Sequence, residues 1–146
     1  TLTCNSLGLK PIRIEVETTQ DLRRELAKLP EKADALWLLP DHRIVTPENF
    51  YHISNTAMRA RMPSISTSRN LTRAGALFSV SANKKGVGKQ AAQLATEILA
   101  GDDSKLGLEI PPTETHVALN RDTQQAIGMA IEDFLMDFIT EIVQQD

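Results

Sequence analysis

Two rhythms of apolar spacing alternate along this chain. Short runs with a period of two, or with none, are separated by stretches spaced by three and four. Ile12, Ile14 and Val16 alternate with charged residues as a half-buried strand does. Thr18 then predicts a helix start, with Asp21 three residues later in a capping-box-like pattern. Leu22, Leu26 and Leu29 share one face of that helix, and Pro30 ends it. Ala35 to Leu39 is an unbroken apolar run between Asp34 and Pro40, which suits a strand buried on both faces. Thr46, Pro47 and Glu48 supply an N-cap, a first-turn proline and an acid at the positive end of a helix. Phe50, Ile53 and Ala57 turn that helix inward.

Pro63 to Ser66 predicts a third strand, and Ala76 to Val80, introduced by Gly75, a fourth. A helix follows with Val87, Ala91, Leu94, Ala95 and Ile98 on one face and Gly101 past its end. Residues 102–115 hold prolines and charges and read as a long connection. His116 to Asn120 predicts a fifth strand. Thr123 to about Val143 predicts the last helix, with an apolar stripe of Ile127, Ile131, Leu135, Phe138 and Ile142. Its other face is acidic, carrying Glu132, Asp133, Asp137 and Glu141, as a solvated face does.

The alternation predicts one α/β domain over residues 1–146, in three layers around a mostly parallel, five-stranded, flavodoxin-like sheet. Ligands of such sheets sit beyond the carboxyl ends of the strands. The segments to watch are therefore Pro40–Thr46, Thr67–Thr72, Ser81–Gly86 and Arg121–Thr123. A hydrophobic content of 41% with 24% charged residues argues against disorder. The net charge of −3 offers no basic field for nucleic acid or anionic lipid. Apolar runs fall short of a bilayer span, and no signal-peptide pattern opens the chain. The single cysteine, Cys4, has no internal disulfide partner; Thr1 to Cys4 resembles a lipoprotein site without its preceding apolar region.

Candidate chemistry is sparse. Lys84 to Gln90 resembles the phosphate loop of partition-type ATPases. Gln90, however, replaces the metal-binding hydroxyl, and Asn83 and Lys85 stand where that loop wants glycine. A solvated helix start with glycines for close packing explains the same residues. His42, His52 and His116 share no metal-ligand spacing, so no metal and no cofactor are expected. No serine lies in a nucleophile-elbow sequence, so catalysis is not expected either. Ser66, Thr67, Ser68, Arg69 and Asn70 would either solvate a turn or offer donors and acceptors to a small polar ligand. Asp41 would either pair with a ligand ammonium or cap a neighbouring backbone amide.

The blocks Ala33–Asp41, Pro63, Arg73–Leu77, Gly88–Ala92 and Ile98–Gly101 occur in an order that resembles one family. It is that of the ABC-transporter substrate-binding proteins of the type 1 periplasmic-binding fold, in the branch linked to aromatic amino acid uptake. The likeness runs from about Leu7 to Gly128 and concerns mostly the second of the family's two lobes. It implies ligand contacts from Asp41, from Thr67 and Ser68, and from Asn83 near a hinge segment. Arg69 and Asn83 stand where the family often has acids, so a ligand ammonium would find fewer partners. Part of the segment 83–120 would pack on the family's other lobe.

The expected function is therefore a non-enzymatic solute-binding domain that holds a small polar ligand such as an amino acid. An ABC permease is a possible partner, and the setting implied is periplasmic or extracytoplasmic. The apolar last helix also predicts a homodimer. The alternative is a receiver-like or dimerising domain that has lost the pocket.

Overall fold

Side-chain caps determine where the longer helices begin. The computed structural model of the chain describes residues 2–144. After a short helix α1 (Leu2–Ser6), helix α2 (Thr19–Lys28) starts at Thr18. Thr18 Oγ1 accepts from the Asp21 backbone N–H at 3.1 Å, and its hydroxyl donates to the Asp21 carboxylate at 2.7 Å. One orphan donor of the first turn is satisfied in this way. A 3₁₀ turn at Leu29–Glu31 tightens the end of α2 where Pro30 interrupts it. Helix α3 (Pro47–Arg59) is capped by Thr46, which accepts from Asn49 N–H. The buried Asn49 amide donates to Ile44 O at 2.8 Å and to Thr19 Oγ1 at 3.2 Å, tying the starts of α2 and α3 together.

Strands β1 (Leu36–Trp37), β2 (Ser64–Ser66), β3 (Phe78–Ala82), β4 (Thr115–Asn120) and β5 (Glu141–Val143) form one sheet, ordered as they occur in the chain. The β1–β2, β2–β3 and β4–β5 pairs are parallel, and β3–β4 is antiparallel. The register sets Ser66, Ser79, Ala118 and Glu141 in one row, so these side chains share a face. Ser66, Ser79 and Ala118 in that row are buried. Helix α4 (Arg69–Arg73) lies against β2, β3 and β4.

The main core joins Leu22, Leu26 and Leu29 with Leu38, Phe50 and Ile53, among others. Each such side chain contributes about 1.5–3 kcal/mol on burial. A second cluster of Leu77, Leu119 and Ile127 is covered by Phe78, Ile131, Met136 and Ile139. No helix among the described residues is long and apolar enough to cross a membrane.

The α/β, mostly parallel, five-stranded sheet matches the expectation from periodicity, but several of its members differ. Residues 12–16 form no strand, and Ile12 and Ile14 are exposed; only Val16 of the three packs on the core. Alternation says which side chains share a face but supplies no ladder partner. The apolar run 35–39 is not buried on both faces: Leu38 is buried while Trp37 and Leu39 are about 60% exposed, at 60% and 63%. β1 is an edge strand packed on one side.

The last helix is broken. Helix α6 (Arg121–Ile127) ends at Gly128, which takes a left-handed φ of 69° that a Cβ would strain. A single turn α7 (Asp133–Met136) follows, and Thr140 then docks on Val117, donating and accepting through its backbone N–H and hydroxyl. Residues 141–143 thereby become the fifth strand. Of the predicted stripe, Ile127 is buried, while Leu135, Phe138 and Ile142 are exposed.

Between β3 and β4 the chain makes an excursion. Helix α5 (Lys84–Leu99) runs out, and residues 100–114 return along it. Both ends of this arm are joined to the sheet by the paired strand ends Ser81–His116 and Ala82–Thr115, extended by Asn83 N–H to Glu114 O at 3.0 Å. Gln90 holds the return segment by donating to Pro111 O at 3.0 Å and accepting from Thr113 N–H. A small open hollow beside it is lined by Val87, Ala91, Leu94, Ile110 and Pro112.

Candidate functional site

Three parallel strands deliver their following segments to one edge of the sheet. Trp37 lies level with Ile65, and Ser66 with Ser79. Asp41 and the Thr67–Ser68 pair therefore follow the ends of neighbouring strands. Asn83 lies four residues beyond Ser79, whereas Ser68 lies two beyond Ser66. On a strand rise of about 3.3 Å, Asn83 stands roughly 7 Å further out. It belongs to the neck of the arm, and the other three to the rim of the sheet. His116 and Glu141 reach the same edge from β4 and β5, because β4 runs against β3. For the same reason Arg121–Thr123, expected at this rim, lies at the opposite edge: it follows the end of an antiparallel strand.

Asp41, Ser68 and Asn83 each have a local partner. Asp41 Oδ1 accepts from Arg43 N–H at 2.9 Å, and the Arg43 guanidinium approaches within 3.4 Å of Oδ2. The Arg43 amide, followed by its side chain, holds the Asp41 carboxyl below the usual range. Asp41 is thus an anion at neutral pH, and any ligand cation there competes with an exposed arginine. Ser66 Oγ accepts from Ser68 N–H and donates to Ser68 O at 3.0 Å, a small turn that leaves Thr67 exposed and Ser68 half-buried. Asn83 caps α5, its Oδ1 accepting from Lys85 and Gly86 N–H at 3.0 and 3.1 Å.

The phosphate-loop lookalike is the first part of α5. Gly86 is buried there, and a Cβ on it would come within 2.8 Å of the Glu114 carboxylate. The glycine allows the return segment to lie close against the helix, with the Glu114 carboxylate beside it. Among the described residues no group of three or more His, Cys, Asp or Glu gathers to hold a metal.

Sequence reasoning missed a charged cluster beside the rim. Arg69 stands where an acid was anticipated by resemblance, and its Nε and Nη2 both donate to the Glu141 carboxylate. His116 Nε2 lies 3.3 Å and Arg73 Nη2 3.9 Å from the same carboxylate. The Arg69 hydrogen bonds, with smaller help from the His116 and Arg73 charges, hold the Glu141 carboxyl below its ordinary range; Arg69 is raised in turn. Arg69 and Glu141 are 72 residues apart, so no local pattern announces the pair.

Comparison with known proteins follows the same lines. The sequence model described as "ABC transporter substrate binding protein" matches residues 1–142. A tyrosine-binding protein of Clostridioides difficile (strain R20291) is 28% identical over 117 residues, covering 78% of this chain and 32% of that protein. Among solved structures, a ligand-free, open substrate-binding protein with adhesive properties from Clostridium difficile superposes with a TM-score of 0.78 at 20% identity. That match covers 99% of this chain and 48% of the other. An ABC domain in complex with L-Trp from Streptococcus pneumonia gives a TM-score of 0.70 at 17% identity, over 97% of this chain and 48% of the other. The chain thus spans about a third of the curated relative and about half of the solved structures.

Proposed function

This chain belongs to the ABC transporter substrate-binding protein family, and from that premise we propose that it is the ligand-holding lobe of a non-enzymatic solute-binding protein for a small polar molecule of the amino acid class. The observation that carries this reading is the delivery of Asp41, Thr67 and Ser68 to adjacent strand ends on one edge of the sheet. An ionised carboxylate suits an ammonium, and exposed hydroxyl and backbone groups suit a carboxylate. Asn83, at the neck, adds an amide where the arm meets the rim. The similar tyrosine-binding and L-Trp-bound proteins suggest aromatic amino acids as the first ligands to try. The reading implies an extracytoplasmic setting and an ABC permease as partner.

Thermal unfolding with and without L-tyrosine, L-tryptophan and a panel of small metabolites tests it. A ligand at a hundred times its Kd stabilises by about 2.7 kcal/mol, or roughly 8–11 °C for a domain of this size. Asp41→Asn should remove most of that shift. Folded protein that gains no stability from any compound would exclude the reading.

A further inference from the structure

The geometry points to Arg69 and Glu141 as a positioning pair that holds the Thr67–Ser68 segment in place from outside the ligand site. The inference rests on the solute-binding reading given above, but its physical content is tested separately.

Helix α4 has five residues, too few to be stable by itself. Its N-cap, Ser68, makes no side-chain capping hydrogen bond. The far end of α4 is well held: Thr72 is fully buried, and its carbonyl accepts from the Asn120 amide at 2.7 Å. The near end, which continues directly from Thr67 and Ser68, has the Ser66 turn, the Ser68 carbonyl accepting from Leu71 and Thr72 N–H at 3.0 and 3.2 Å, and the Arg69 guanidinium as its one tie to a distant strand among the described residues. That guanidinium makes a two-point contact with Glu141, whose fork geometry fixes direction as well as distance. Glu141 is itself set by β5, which is bonded to β4. His116, on the β4 end that forms the neck of the arm, touches the same carboxylate. One carboxylate thus links the loop after β2 to the strand that carries the arm. Among the described residues the Arg69 side chain pairs with Glu141 and not with Asp41, Thr67, Ser68 or Asn83; it acts through the loop it anchors.

Arg69→Ala, Arg69→Lys and Glu141→Gln, made in the chain as it stands, provide the test. Amide hydrogen exchange is followed at residues 67–71, and L-tyrosine and L-tryptophan binding is titrated by calorimetry. Among the described residues the charged groups facing Glu141 are Arg69, Arg73 and His116, so Arg69→Ala still leaves the carboxylate Arg73 and His116. Exchange at 67–71 should rise in Arg69→Ala and Glu141→Gln, with β3 and β4 amides unchanged. Affinity for whichever amino acid binds should fall by about tenfold. Arg69→Lys, which keeps the charge but not the fork, should fall between the wild type and Arg69→Ala. Unchanged exchange at 67–71 in Arg69→Ala overturns the inference whether or not any amino acid binds. Loosened exchange with undiminished affinity overturns its link to the ligand. Failure of the wild type to bind either amino acid counts against the proposed ligand class, and the exchange comparison then decides the anchoring alone.

Discussion

Asn120 offers a sharp test of how this fold is held together. Its side chain is fully buried between two helices and the sheet. The amide Nδ2 donates to Thr72 O at 2.7 Å, and Oδ1 caps α6 by accepting from Thr123 N–H at 2.9 Å. Asn120→Ala removes both bonds. The Thr123 amide is then buried without an acceptor, which costs about 1–2 kcal/mol as a lost cap. Thr72 O keeps a bond from Gly75 N–H at 3.2 Å, so its loss is smaller, about 0.5–1 kcal/mol. With the small cavity left behind, the total is roughly 2–3 kcal/mol, a fall in Tm of about 6–12 °C. Asn120→Asp keeps the cap acceptor but aims a carboxylate at a carbonyl in a buried site. Its folded pKa is raised, so its penalty grows as the pH climbs above the unfolded value of about 3.9. Thermal melts of both variants at pH 4 and pH 7 decide. An Asn120→Ala protein melting within about 2 °C of the wild type, or an Asp variant insensitive to pH, would refute the reasoning.

Two further outcomes follow from single groups. Ser79 Oγ is buried with no hydrogen-bond partner among the described residues, so Ser79→Ala should leave Tm unchanged or raise it by a few degrees; a loss above about 1 kcal/mol would instead reveal an ordered water bonded to that hydroxyl. Glu141 has a folded pKa below its ordinary 4.5, so its contribution is whole above that pH and fades as the pH falls further, through the folded value. In Glu141→Gln the stability-versus-pH curve below pH 4.5 should be flatter than in the wild type; parallel curves would show that the pair with Arg69 adds nothing.

Features written in neighbouring residues were readable in advance. Thr18 with Asp21 and Thr46 with Pro47 place helix starts through contacts three residues long, and both caps form. The sheet edge bearing Asp41, Thr67 and Ser68 follows from the βα rhythm alone. Strand direction does not: alternation at 116–120 reads the same in either sense, and the long excursion before β4 lets the strand return antiparallel. The break at Gly128 was masked by an apolar stripe that continues in helical register across it, although the glycine itself marks the stop. The Arg69–Glu141 pair depends on which strand ends up beside which, information spread over the whole topology and absent from any window.

The double attachment of the α5 arm constrains how it moves. A single tether would let it swivel freely. Two crossings laced by ladder bonds at Ser81–His116 and Ala82–Thr115 resist twisting apart and yield most readily by flexing as a ribbon. Any such flexing carries Asn83 and His116 together, so a tilt of the arm is felt at once beside β3 and, through His116, at the Glu141 carboxylate.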